Sequence, residues 1–256
     1  MKFLTGALCA GALLTALASG RAALSDAELA RIGRRVWQNE CGGTRDGLTS
    51  WNAGENFASL GIGHFIWYPK GKDGPFEESF PKLAEYLAKA GEQVPDWLRG
   101  DCPWSSKSEF QADFRSARMN QLRDLLANTV TLQSRFLARR MEAALPKMLS
   151  PAPAADRANV SAQFKRLAGT GAGTFALIDY VNFKGEGIKE TERYAGEGWG
   201  LLQVLADMKG SGPGAPAEFA RSAAAVLERR VKNSPPGRGE ARWLPGWKNR
   251  VRAYAE

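Results

Sequence analysis

NECGGTRDGLTSWNAGENFASLGIGHF, residues Asn39–Phe65, carries two glutamates, Glu40 and Glu55, and the only histidine of the 256-residue chain, His64. A single imidazole removes most catalytic arrangements. A Ser-His-Asp triad would have to use His64, and a histidine-based zinc site would have one imidazole to offer. The chain has no Walker loop and no dinucleotide fingerprint after a strand. Carboxylate chemistry remains, since two carboxylates flanking a sugar linkage can hydrolyse it, one as acid and one as base or nucleophile. No metal or organic cofactor is implied.

Upstream of the stretch, Ser25-Asp26-Ala27-Glu28 forms a capping box, and Leu29, Ile32 and Val36 recur at helical spacing. This predicts a helix over Asp26–Asn39, stopped by Gly42-Gly43. Glu40 then lies at the helix C-terminal end, where the helix dipole disfavours negative charge and suits a proton-donating carboxyl. Taken alone, the same position reads as a solvated helix-end glutamate. From Thr44 to Lys72 the chain is rich in Gly, Asn, Thr and aromatics, which predicts short strands and turns. Glu55 lies in this patch, ahead of Ser59-Leu60-Gly61-Ile62-Gly63-His64. Gly61 and Gly63 allow a sharp turn or a close backbone approach. His64, between apolar neighbours, reads as a structural histidine with its hydrogen bonds satisfied. Trp51 and Trp67 flank the motif and are candidates for stacking on sugar faces, with core packing as the alternative.

Beyond the patch the pattern is helical. Helices are expected from Pro75 through Ala90, as a pair over Ser108–Met148, and over Val160–Ala168, Trp199–Met208, Phe219–Val231 and Leu244–Tyr254. Phe175–Phe183 is a buried apolar run whose periodicity does not separate helix from strand. No internal repeat interrupts the series.

The N-terminus, MKFLTGALCAGALLTALASGRAALSD, has a lysine, an uncharged apolar run over Phe3–Leu17 and small residues after it. It reads as a secretory leader over residues 1–22, preceding a single domain over 23–256, which places the protein in the periplasm or outside the cell. Cleavage deletes Lys2 and Arg21, so 35 − 2 basic residues face 27 acidic ones and the charge falls from +8 to +6. A basic exported protein favours an anionic envelope polymer such as peptidoglycan over nucleic acid, although modest charge also serves solubility alone. Cys41 and Cys102 remain after cleavage. In an oxidising compartment they suggest one disulfide, worth ~4 kcal/mol for a loop of about sixty residues, against the alternative of two buried thiols.

The order of these features resembles the phage T4-type lysozyme family. A glutamate ends the first helix, a glycine-rich β-patch follows, and the patch runs into Gly61-Ile62-Gly63-His64. Ala176-Leu177-Ile178-Asp179-Tyr180-Val181-Asn182-Phe183-Lys184-Gly185 resembles the family's central buried helix, with Asn182-Phe183 in reversed order. Trp243-Leu244-Pro245-Gly246-Trp247-Lys248-Asn249-Arg250 resembles its terminal segment. The resemblance touches about 32–65 and 176–254; Phe76–Ala168 matches no pattern of the family. It implies an α+β, mostly α, lysozyme-like fold with a small β-lobe and a larger helical lobe. It assigns Glu40 as general acid and puts Ser59 at a threonine position that helps hold a water. The family's aspartate is missing, Ala53 standing near its place, so Glu55 is the nearest second carboxylate. Asn182, Tyr180 and Trp67 become substrate-binding candidates, with His64, Gly61 and Gly63 structural.

The expected activity is a monomeric glycosidase cutting the β-1,4 glycan strands of peptidoglycan, without nucleic acid or membrane insertion. Two alternatives stay open: a lytic transglycosylase on the same substrate, and a non-catalytic glycan-binding protein. A rival anchor is Gly200-Leu201-Leu202-Gln203, which resembles a segment of soluble lytic transglycosylases and would make Glu186, Glu190 or Glu192 the acid.

Overall fold

The computed structural model describes residues 24–256, and the predicted leader over residues 1–22 lies outside them. The fold is α+β and mostly α. Helix α1 (Asp26–Cys41) opens on the expected capping box: the Glu28 N–H donates to Ser25 Oγ at 3.3 Å, and the Ser25 N–H to Glu28 Oε2 at 2.9 Å. It runs past Glu40 because the left-handed stop falls at Gly42, with φ 62°. Leu29, Ile32 and Val36 are buried as their spacing requires.

Next come strands β1 (Thr49–Ser50), β2 (Ala58–Leu60) and β3 (Phe65–Trp67), an antiparallel sheet in sequence order. Ser50 faces Ser59, and Ala58 faces Trp67. Gly61 turns β2 towards β3 with φ 73°, and a Cβ there would sit 2.5 Å from Gln133 Oε1. Both the left-handed backbone and the close approach exclude a side chain.

Helix α2 (Phe80–Lys89) starts later than Pro75 predicts, because Glu78 turns back to accept the Tyr68 N–H at 2.8 Å. The expected helix pair over Ser108–Met148 is three helices: α3 (Lys107–Asp113), α4 (Ala117–Asn128) and α5 (Val130–Leu149). Ser116 caps α4 and so ends the preceding turn, a local break that apolar periodicity does not register. Helix α6 (Ala154–Ala168) leads to α7 (Gly171–Lys184), which resolves the ambiguous run. Nearly every residue of α7 from Gly173 to Tyr180 is buried, so no face carries a polar stripe. A hairpin, β4 (Arg193–Tyr194) and β5 (Glu197–Gly198), precedes α8 (Leu201–Asp207), α9 (Ala215–Asn233) and α10 (Leu244–Arg252). The central α7 packs on α1, α5, α6, α8 and α9, while α5 also reaches α2 beside the sheet. No helix of the described residues is long and apolar enough to cross a membrane.

Two expectations are corrected here. Trp67 is no sugar platform: it is 1% exposed, packed 4.8 Å from the Phe80 ring and 6.0 Å from the Trp104 ring. Cys41 and Cys102 are not bridged but are two free, buried thiols. The Cys41 thiol points to the Gly61 carbonyl at 3.5 Å, while that of Cys102 points to the Trp104 carbonyl at 3.5 Å. Burial, helped by the Glu40 charge, pushes the Cys41 thiol up to about 12, and burial pushes Cys102 up to about 11. Both therefore stay protonated and shielded near neutral pH. Native protein at pH 8 should resist alkylation, whereas denatured, unreduced protein should be alkylated at both Cys41 and Cys102. Peptide mass spectrometry that finds the two peptides joined would restore the disulfide.

Candidate functional site

Glu40 sits in the last turn of α1, facing residues brought from three distant parts of the chain. Asn182, near the end of α7, donates its Nδ2 to Glu40 Oε1 at 3.1 Å. Arg250 on α10 donates its Nη2 to the same oxygen. His64 Nδ1, from the turn after β2, lies 3.8 Å from Glu40 Oε2. The Glu40 side chain is 15% exposed, sheltered yet reachable. Such a carboxyl can exchange a proton with a bound group while bulk water is largely kept away.

Arg250 is fixed from behind. Its Nε donates to Asp179 Oδ2 at 2.8 Å and its Nη2 to Asp179 Oδ1 at 2.9 Å, a two-point pairing. Asp179 is 0% exposed and also accepts the Tyr254 hydroxyl and, at 3.1 Å, the Asn39 side-chain amide. Burial disfavours the Arg250 charge, but Asp179 and then Glu40 outweigh it and hold the guanidinium firmly protonated. Burial, then the Asp179 charge, raises the Tyr254 hydroxyl well above its ordinary range. Lys184 lies beside this network with its Nζ 3.5 Å from the Trp247 ring centre and 3.9 Å from that of Phe183. Burial, then the Arg230 and Arg250 charges, pushes its amine down to about 6.

Glu55 belongs to a second group. Its Oε2 accepts Asn52 Nδ2 at 3.0 Å and lies 3.5 Å from the buried Ser59 hydroxyl, the long limit of a hydrogen bond. Its carbonyl accepts the Trp51 indole N–H at 2.9 Å. Glu55 thus stands beside Ser59, and Glu40 beside Asn182 and the His64 turn.

Other candidates fall differently. Tyr180 is fully buried and donates its hydroxyl to the Trp199 carbonyl at 2.9 Å, which leaves it no face for a substrate. Asn182 is partly exposed, with its amide turned to Glu40. His64 is not the satisfied histidine its apolar neighbours predict: its Nε2 is buried with no hydrogen-bond partner, and its φ is 48°. At Gly63 a Cβ would stand 3.1 Å from the Phe65 ring and 3.2 Å from the Leu137 side chain, so a larger residue there would need both to give way. The rival anchor serves structure, since Gln203 accepts the Gly200 N–H at 2.9 Å and donates to the Gly187 carbonyl at 3.0 Å. Glu192 accepts the Gly187 N–H, Glu186 pairs with Lys147, and Glu190 is almost fully exposed. Among the described residues no group of three or more His, Cys, Asp and Glu side chains is arranged to hold a metal ion.

Sequence reasoning missed the roles of Asp179, Arg250 and Tyr254. The available signal was Asp179 itself, an acid inside an otherwise apolar run that burial obliges to find a cation.

Comparison of the chain with protein-family models, with curated proteins and with solved structures finds no match.

The asymmetry between the two carboxylates is testable by unfolding. Arg250→Met strands Asp179 as a buried, unpaired charge and should cost about 3–5 kcal/mol in urea titration. Glu40→Gln keeps the Arg250–Asp179 pair and should cost far less. Equal losses in the two variants would contradict this division of roles.

Proposed function

We propose that this chain is a lysozyme-like glycosidase that cuts the β-1,4 glycan strands of peptidoglycan. The observation that carries the reading is Glu40: a sheltered, reachable carboxyl at the end of α1, held between the His64 turn and the Asn182 end of α7. The same placement is what the resemblance to the T4-type family implies. The leader-like N-terminus and the positive charge support an envelope location, outside the cytoplasm, and an anionic polymer as partner.

In this mechanism Glu40 gives its proton to the glycosidic oxygen. Asn182 and Arg250 fix which oxygen faces them and so leave the other free for the linkage. Glu55 then acts as the base that activates a water from the opposite face, with the Ser59 hydroxyl holding that water. Because Asn52 already orients the Glu55 carboxylate towards Ser59, hydrolysis is the reading we favour over attack by the sugar's own 6-hydroxyl.

Digestion of purified peptidoglycan tests the assignment. Wild type should release fragments with reducing ends. Glu40→Gln should lose about 10²–10⁴-fold in turnover while still binding glycan. Near-native turnover in that variant would remove Glu40 from the chemistry, and binding by wild type without any release would leave a glycan-binding protein.

Glu55→Gln should stop hydrolysis with strand binding intact. A wild-type digest dominated by anhydro ends, one water lighter, would instead show transglycosylation with Glu40 acting alone.

A further inference from the structure

Beside Glu40 the end of α7 opens into a line of rings and cations that the chemistry above does not use. Arg250, which binds Glu40, has its guanidinium 4.2 Å from the Phe183 ring centre. Phe183 meets Trp247 edge to face at 6.4 Å, and Trp247 stands 6.0 Å from Trp243. Trp243 is 43% exposed, so the line runs from Glu40 out to solvent.

Lys184 is set into this line, its Nζ 3.5 Å from the Trp247 ring centre and 3.9 Å from that of Phe183. The two arginines that act on it are already paired. Arg230 of α9 donates twice to Glu240, each bond 2.8 Å long, and Arg250 of α10 donates twice to Asp179. No described residue gives Lys184 a hydrogen bond or an ion pair, and its side chain is half-buried rather than sealed. The last turn of a helix favours a cation, and the ring faces attract one, but neither supplies an anion. Burial and the Arg230 and Arg250 charges oppose a proton on the amine, while Glu240 and Glu40 of α1 favour one; the opposition prevails and holds it down to about 6. A lysine kept from water between two arginines, with no anion of its own, is one carboxylate short of a satisfied charge.

We propose that Lys184 binds a carboxylate carried by the glycan strand, a proposal that rests on the glycosidase reading above. A peptidoglycan strand has two sources of that group beside its sugars: the stem peptide where it is present, and the lactyl group of a muramyl unit whose peptide is gone. Chitin has a β-1,4 linkage and neither carboxylate. Lys184 is then a specificity residue. It selects which strand is seated beside Glu40 and takes no part in the proton transfer. An arriving carboxylate and the Lys184 proton stabilise each other, so the contact is strongest while the amine is charged.

Binding to the Glu40→Gln protein tests this without turnover. Three tetrasaccharides are titrated by calorimetry: the N-acetylglucosamine oligomer, which has no carboxylate, a peptidoglycan fragment with its stem peptides, and the same fragment stripped of them. At about pH 5 at least one carboxylate probe should bind about tenfold or more tighter than the neutral one, and adding Lys184→Met should remove most of that preference. The probe that loses most identifies the source, stem peptide or lactyl group. In the parent the preference should be full below about pH 6 and decline towards about pH 8, as the amine gives up its proton, and in Lys184→Met it should be flat. An unchanged preference in folded Lys184→Met, or a preference in the parent that ignores pH, would overturn the carboxylate contact and leave the glycosidase reading standing. Absence of binding to all three probes by the parent would overturn both.

Discussion

One guanidinium sets how the two acids at the end of α1 and in α7 are held. Arg250 stands between two carboxylates, Asp179 and Glu40, that would otherwise repel each other in a poorly solvated place. The two are not held alike. Asp179 spends both oxygens on Arg250 and takes further donors from Tyr254 and Asn39, so its capacity is used up. Glu40 takes Arg250 and Asn182 on one oxygen and keeps the other towards His64, across a gap too long for a hydrogen bond. The fully buried acid is therefore structural, and the partly exposed acid is the one with an oxygen to spare. A buried ion pair is weak as a source of net stability. Its value here is geometric, because it brings α1, α7 and α10 to one point.

The sheet poses a different problem. Strands of two and three residues cannot hold a lobe together by their ladder alone. The lobe is held by aromatic packing beneath them: Trp67 on Phe80 and Trp104, Trp104 on Phe110, Phe110 on Trp51. The Trp104 indole is satisfied by Asp113 at 2.8 Å, so the cluster stays closed without a stranded donor. Most of these rings come from residues 80–110, the stretch that resembles nothing in the T4-type family. Trp67 flanks the glycine motif in sequence yet faces this cluster, so proximity along the chain misleads about its role.

What was legible follows from how local each signal is. The capping box, the buried spacing of Leu29, Ile32 and Val36, and the Gly42 stop act within a few residues, so α1 and the position of Glu40 could be read directly. Glu55 lies in the loop that enters β2, four residues before Ser59, so their closeness is local too. Arg250 and Asp179 lie 71 residues apart, and Arg250 and Glu40 lie 210 apart, so no periodicity links them. The α7 run withheld its type because burial on all sides erases the stripe that marks a helix. The cysteine pairing failed because a count and a compartment say nothing about distance or direction, which a disulfide requires.

The His64 turn shows how both sides of the site come to share one frame. Gln133, fully buried in the first turn of α5, accepts the Ile62 N–H at 2.9 Å. Its amide in turn donates to the Leu126 carbonyl at 2.6 Å and to Thr129 Oγ1 at 3.0 Å, so its own orientation is fixed by the α4–α5 corner. The same helix carries Ser134 and Val130 against Gly33 of α1, where any Cβ would collide with them. It packs further along against α7, which brings Asn182. A carboxylate held by Asn182 and Arg250 and faced by the His64 turn keeps its geometry only if these parts are referred to one rigid element. Helix α5 is that element: it sets the turn that carries His64, the helix that carries Glu40 and the helix that carries Asn182.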